Sequence, residues 1–265
     1  MAQPARGPDF IEALARGLDV LRAFGPERPA MTLSEVARVA DLARPTARRI
    51  LLTLAELGYV RADDGTYALT PRVIDLGMAY VGALGLWDIA RPHQEALVRR
   101  THESSSMSQL DGSDIIYVTR VAVPKLIALR VDVGTRFPAM VTSQGKVLLA
   151  DLPDGEVAKV LKVPSRSDLP VREFARAAVR ESLAEVREQG YAVADEELAP
   201  GVRSVAVPVR DASGRVAAAM NVTVHAAETS LAVLLDEHLP PLREAAAAVE
   251  ADWARWAARP VATLS

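Results

Sequence analysis

Residues 32–69 read TLSEVARVADLARPTARRILLTLAELGYVRADDGTYAL, and this stretch decides the architecture of the first part of the chain. Leu33, Val36, Ala37 and Ala40 recur at i, i+3, i+4 and i+7, which predicts a short helix over 33–40. Thr32 or Ser34 can cap its start, and Glu35 falls in its first turn. Asp41, Leu42 and Ala43 make a turn. Pro45 then stands in the first turn of a second helix, 45–57, where its missing N–H would be unpaired in any case. Ala47, Ile50, Leu51, Leu54 and Leu57 form the apolar face of that helix. Arg49 points opposite to it, with Thr46, Arg48 and Thr53 on its flanks. Gly58 ends the helix as a left-handed cap. Tyr59–Ala62 and Thr66–Leu69 flank Asp63-Asp64-Gly65, a strong hairpin signal. Helix, tight turn, longer helix and hairpin in this order make a winged helix-turn-helix.

Charge turns that shape into a prediction. Residues 44–61 hold four arginines (44, 48, 49, 61) and one glutamate (56), so this segment is basic in a chain of net charge −3. In a helix-turn-helix the N-terminal end of the second helix enters the major groove. An arginine fork there can bond a guanine edge or a phosphate. Double-stranded operator DNA is therefore the predicted partner, met by Arg44, Thr46, Arg48 and Arg49, with Arg61 of the wing on phosphate. Leu52 falls on the outward side, where another subunit, the wing or thymine methyls are all open to it. The competing reading is a helix pair that only packs, inside a small-molecule-binding protein or enzyme; Arg48 and Arg49 would then be replaceable without loss.

The bulk properties narrow the rest. The chain has 265 residues, half of them apolar, enough for one large domain or two smaller ones. It has no cysteine, which excludes disulfides, thiolate metal sites and cysteine nucleophiles. MAQPARGPDF lacks the apolar core of a signal peptide, and no apolar run reaches the roughly 18 residues of a membrane helix. A cytoplasmic, membrane-free, bacterial-type protein is expected. His93, His102, His225 and His238 show no HxxxH or HxH spacing, and no GxSxG or P-loop is present. No metal, no cofactor and no catalytic group is therefore expected. The Asp195-Glu196-Glu197 run reads as a charged loop after a strand.

Along the chain, a helix is expected from Asp9 to about Phe24, with Phe10, Ile11, Leu14, Leu18 and Leu21 on one face completing a three-helix core. Thr70-Pro71 opens a linker helix over 71–86, and a further amphipathic helix runs over 87–101. From Ser104 the period changes to two. Strands flank Asp111-Gly112, and another is expected over 126–131. Helices follow at 143–151, 155–161 and 171–189; strands return at 191–196, 202–210 and 215–225. A final alanine-rich helix spans about 230–258, broken near Pro240-Pro241. Strands at both ends with helices between them predict an α+β protein: a winged helix-turn-helix over 9–70, the linker, and an antiparallel-sheet domain over 87–258.

Thr142-Ser143-Gln144-Gly145 opens one of these helices. Free amides at a helix start, with the dipole behind them, form an anion site, so a ligand carboxylate could rest on Ser143, Gln144 and Gly145. The alternative is that Thr142 or Ser143 merely caps the helix. Arg130 and Arg136 are candidate carboxylate partners, or ordinary surface arginines.

Residues 32–69, together with VGTRFPAMVTSQGKVLL (133–149) and GVRSVAVPVRDASGRVAAAMNVTVHA (201–226), resemble the IclR-type transcriptional regulators over roughly Phe10 to Trp256. The resemblance implies a GAF-like effector domain and a small organic acid effector. The acid would meet the helix-start amides, with Ser204, Asn221 and Thr223 closing the other side of its site. It also implies a homodimer or a dimer of dimers, in which paired recognition helices enter successive major grooves. The family's acidic strand position falls on Ala194, so that contact is absent here. RVDVGTRFPA and AAMNVTVHA are most similar to the branch that senses aromatic acids of the protocatechuate and β-ketoadipate pathways.

Overall fold

The structure, a computed structural model, describes residues 7–77, 85–124, 131–170 and 172–258; the chain divides into two compact units, 1–83 and 84–265. The first unit runs α1 (Glu12–Ala23), β1 (Ala30–Thr32), α2 (Leu33–Val39), α3 (Arg44–Glu56), β2 (Val60–Asp63) and β3 (Thr66–Leu69). Thr32 and Glu35 form a capping box at the start of α2: the Thr32 hydroxyl accepts from the Glu35 amide, and the Glu35 carboxylate accepts from the Thr32 amide at 2.7 Å. Those bonds hold the Glu35 carboxyl below its ordinary pKa. After α2 the chain reverses through Asp41 at φ 51°, and the Leu42 amide bonds back to Ala37 O at 2.8 Å. The hairpin turns on Asp64 and Gly65, at φ 45° and 78°, so both central residues have the positive φ that a type I′ turn demands.

Two features of this unit differ from the sequence reading. β1 adds a third strand to the hairpin, pairing Met31 with Tyr67 in the order β1-β3-β2. Three residues are too few for a period to show. In α1 the inward residues are Val20, Ala23 and Phe24, which join Met31, Val36, Leu51, Leu54 and Val60 in the core. Ile11, Leu14 and Leu18 of the predicted inward face are instead exposed, as is Phe10. Leu14 and Leu18 border an apolar groove between α1 and α3. The period had found a real stripe, but burial assigned it to the surface of the single chain.

Residues 73–77 are helical, and most of the rest of the expected linker helix falls on 78–84, outside the described residues. The expected strand over 126–131 also lies outside them, except for Val131.

The second unit runs α4 (Leu86–Thr101), β4 (Ser104–Asp111), β5 (Asp114–Val121), β6 (Arg136–Pro138), α5 (Ser143–Ala150), α6 (Asp154–Val160), α7 (Arg176–Gln189), β7 (Ala192–Asp195), β8 (Val202–Arg210), β9 (Val216–His225) and α8 (Leu239–Ala257). Its six strands form one antiparallel sheet in the order β6-β5-β4-β9-β8-β7. Alternation divides the sheet into two faces. Ala206 and Ala219 cluster with Val147, Leu148 and Leu183 of α5 and α7. Val205, Val207, Met220 and Val222, the alternate residues, are equally buried on the other face, where α4 and α8 pack. Pro240 and Pro241 do not break the last helix. They occupy its first turn after a π turn at Leu234–His238, which absorbs the loss of two N–H donors.

Every residue of α5 is buried. The helix enters the sheet face against the 139–142 turn, tied by Thr142, whose hydroxyl accepts from the Gly145 amide and donates to Ala139 O, both at 3.0 Å. Gly145 is where the two segments touch: a Cβ there would lie 2.1 Å from Ala139 O. Gly145→Ala is therefore expected to destabilise the second unit by about 3 kcal/mol through overpacking against backbone. A urea melt checks this, with Gly155→Ala as the control, since nothing lies within 4 Å of that position.

Candidate functional site

The sheet face beside α5 borders a cleft lined by Tyr117, Arg120, Val131, Thr142, Ser143, Gln144, Ala194, Leu198, Ser204, Asn221 and Thr223 among others. The strand register explains how they converge. Ser106 stands between Asn221 on one side and Arg120 on the other, and Ser204 pairs Thr223, which pairs Ser104. Two polar rows thus cross the sheet side by side under the start of α5.

Arg120 reaches the cleft through an irregularity. Tyr117 pairs Ser108, but Thr119 pairs Met107, so Val118 is an extra residue in β5. A bulge of this kind moves the residues beyond it to the other face. Without it, Tyr117 and Arg120, three apart, would point to opposite sides; with it, both line the cleft. The Arg120 guanidinium donates to Ser106 Oγ at 3.0 Å. Partial burial pulls its pKa below the ordinary value, while Tyr117 and Asp132 act in the opposite sense. An anion beside it would relieve that desolvation. It is the only charged side chain among the described residues of the lining.

Of the residues expected at the effector site, Ser143, Gln144, Ser204, Asn221 and Thr223 all line this cleft. Ser143 Oγ and Ser204 Oγ lie 2.8 Å apart. Asn221 takes the Ser106 amide on Oδ1 and donates through Nδ2 to Thr223 Oγ1, each at 3.0 Å, so it ties β4 to β9 as well as lining the space. Gly145 is corrected: its amide is taken by Thr142, so it has none to offer a ligand. The amides of Ser143 and Gln144, first and second in α5, have no partner within the helix. Arg136 takes the second of its two readings, as an ordinary structural arginine. It is ion-paired at 2.5 Å with Asp111, away from the cleft. Arg130 lies outside the described residues. The sequence reading missed Arg120 and Tyr117; Arg120 has no local signal, because the extra residue before it shows only in the pairing of β5 with β4.

The acidic run does structural work. Asp195 pairs Arg203 at 2.7 Å, Glu196 accepts from the Gly201 amide at 2.8 Å, and Glu197 takes the Lys146 ammonium at 2.5 Å. Among the described residues no group of histidine and carboxylate side chains could hold a metal, and no helix is long and apolar enough to cross a membrane.

In the first unit Arg44, Arg48 and Arg49 are exposed and enter no ion pair among the described residues. Thr46 is half-buried; with Arg49 it borders the groove against α1. Arg61 stands on β2 in a loose, exposed pair with Asp63 at 3.5 Å, weak enough to exchange for a phosphate. Leu52 is exposed beside these arginines.

A winged helix-turn-helix joined to a sheet domain with an enclosed polar cleft defines a ligand-responsive transcriptional regulator. Comparison with known proteins names the kind: the chain belongs to the IclR family. Residues 13–64 match the IclR helix-turn-helix domain, and residues 78–251 match the bacterial transcriptional regulator IclR C-terminal domain. The Pca regulon regulatory protein of Pseudomonas putida is 40% identical over 240 residues, 89% of this chain and 81% of that protein. The crystal structure of a transcriptional regulator from Rhodococcus sp. RHA1 is 46% identical, with a TM-score of 0.79 over 93% of this chain and 100% of that one. An IclR homologue from Microbacterium hydrocarbonoxydans, crystallised with 4-hydroxybenzoate, is 29% identical, with a TM-score of 0.78 over 92% and 100%.

Burial holds the Tyr117 phenol neutral up to about 12, against an ordinary value of 10.0, with the Arg120 charge working the other way. The unfolded chain therefore releases this proton first, and the folded state loses stability as pH rises from about 10 towards 12. Urea melts at about pH 8 and about pH 11 should show Tyr117→Phe losing less stability than the native chain over that interval.

Proposed function

We propose that this regulator senses an aromatic carboxylic acid in the cytoplasm and answers it at operator DNA, and that it is not an enzyme. The observation that carries the reading is that Arg120 and the first two residues of α5, Ser143 and Gln144, line one cleft. Both can donate hydrogen bonds to an anion, and Tyr117 supplies an aromatic wall beside them. The relative crystallised with 4-hydroxybenzoate and the similarity to a Pca regulon regulator support an aromatic acid as the occupant. Ser143, Gln144, Ser204, Asn221 and Thr223 are its proposed contacts. In place of the Gly145 amide, Arg120 joins them.

Operator binding is assigned to Arg44, Thr46, Arg48 and Arg49 on α3 and Arg61 on the wing. The domains proposed for these roles are 9–70 and 87–258, joined through 71–86. The exposed stripe of Ile11, Leu14 and Leu18 supports pairing of two copies, because an apolar face of this kind is costly to leave in water. The ligand acts by binding one arrangement of the dimer more tightly than another.

Two outcomes are expected. In thermal unfolding, an aromatic acid such as protocatechuate should raise apparent stability by about 2.7 kcal/mol at a hundred times its dissociation constant. Arg120→Gln should weaken that shift without lowering the stability of the ligand-free protein. If no aromatic or aliphatic acid shifts the transition, the cleft has been misassigned. Arg49→Ala should weaken operator binding in a gel-shift titration by about 1–3 kcal/mol. It should leave the ligand-induced thermal shift intact, and an unchanged operator affinity would remove Arg49 from the interface.

A further inference from the structure

We infer that Gln144 chooses among aromatic acids, its side-chain Oε1 accepting a hydrogen bond from a hydroxyl on the ligand ring. The inference rests on the aromatic-acid reading above and deepens it. Gln144 is 1% exposed, and its Nε2 donates to two main-chain carbonyls on neighbouring strands, Ser106 O at 3.1 Å and Ala219 O at 3.0 Å. Two carbonyls can be met only by the NH2 group, so the amide cannot turn over. Oε1 is thereby committed as an acceptor, and among the described residues it accepts no hydrogen bond.

A buried acceptor left without a donor is costly, and such an atom in a ligand cleft is paired when the ligand supplies the donor. The rest of the lining makes the requirement specific. Arg120 and the first amides of α5 only donate, so they receive the carboxylate. The Asn221 amide is already engaged at both ends. A carboxylate has no proton to offer Oε1, and neither has an unsubstituted ring. A ring hydroxyl does, and so does a ring amine. A site built to bond such a group rejects the analogue that lacks it, because the buried acceptor then stays unpaired.

The test is isothermal titration calorimetry on the full-length protein with ligands matched in size. One set carries a donor: 3- and 4-hydroxybenzoate and 4-aminobenzoate. The other does not: benzoate and 3- and 4-fluorobenzoate. At least one donor ligand should bind about 10- to 100-fold more tightly than its donor-free counterpart. In Gln144→Met, which keeps the volume and removes the acceptor, that ratio should fall to near one. Equal affinities across the two sets in the native protein would overturn the assignment of Gln144 while leaving aromatic-acid sensing in place. A ratio that persists in Gln144→Met would overturn it equally. Should that variant fail to fold, the native series decides by itself. Binding of no aromatic acid at all would instead defeat the sensing reading, and this inference with it.

Discussion

The second unit depends on one constraint: α5 is a helix buried on every side, inserted start-first against the sheet. A buried helix start is ordinarily a liability, because its first amides have no partner in the helix. Here the liability is divided. Thr142 caps the third amide, and the close approach of Gly145 to Ala139 presses the capping turn onto the helix. The Gln144 side chain reaches past the turn and bonds β4 and β9. What is left over, two amides and one side-chain oxygen, belongs to Ser143 and Gln144, which line the cleft. The polar site is thus the unsatisfied remainder of a packing solution, held rigid by groups that are satisfied.

The sheet supplies the opposing wall by its register. Its antiparallel order places β4 between β5 and β9, so that Arg120, Ser106 and Asn221 fall in one row. The extra residue at Val118 admits Arg120 to that row. Charge enters an otherwise neutral cleft at one point, and burial leaves that charge poorly solvated. An incoming carboxylate would restore what desolvation took away.

The first unit works on different terms. Its core of Val20, Phe24, Val36, Leu51 and Leu54 is small, and its stability leans on local devices. These are a reciprocal capping box, a turn closed by Asp41, and a hairpin whose two central residues both take positive φ. Such devices fix the angle between α2 and α3 and leave the arginines of α3 exposed, in no ion pair among the described residues. Function there is a surface property, whereas in the second unit it is an interior one.

That difference decides how much was legible in advance. Local chemistry is written in neighbouring residues, so Thr32 with Glu35, Pro45, and Asp64-Gly65 were enough to place the helix-turn-helix and its wing, and period two gave most of the strands. Ser143 and Gln144 were readable for the same reason, since a helix start is a local event. The strand residues Ser204, Asn221 and Thr223 came from resemblance, because alternation cannot say which face of a strand a cleft occupies. Arg120 was invisible: a single unpaired residue in β5 reverses its direction, and only pairing with β4 exposes it. Gly145 was misread because the acceptor that takes its amide, the Thr142 hydroxyl, is held in place by its own bond to Ala139 O. The α1 stripe was found by its period and misplaced by it, since a period identifies an apolar face and only packing decides what covers it. Residue spacing therefore determined the elements, and resemblance to a family the class of regulator. Tertiary structure decided which donors and acceptors remain unspent, because that depends on contacts between segments far apart in the chain.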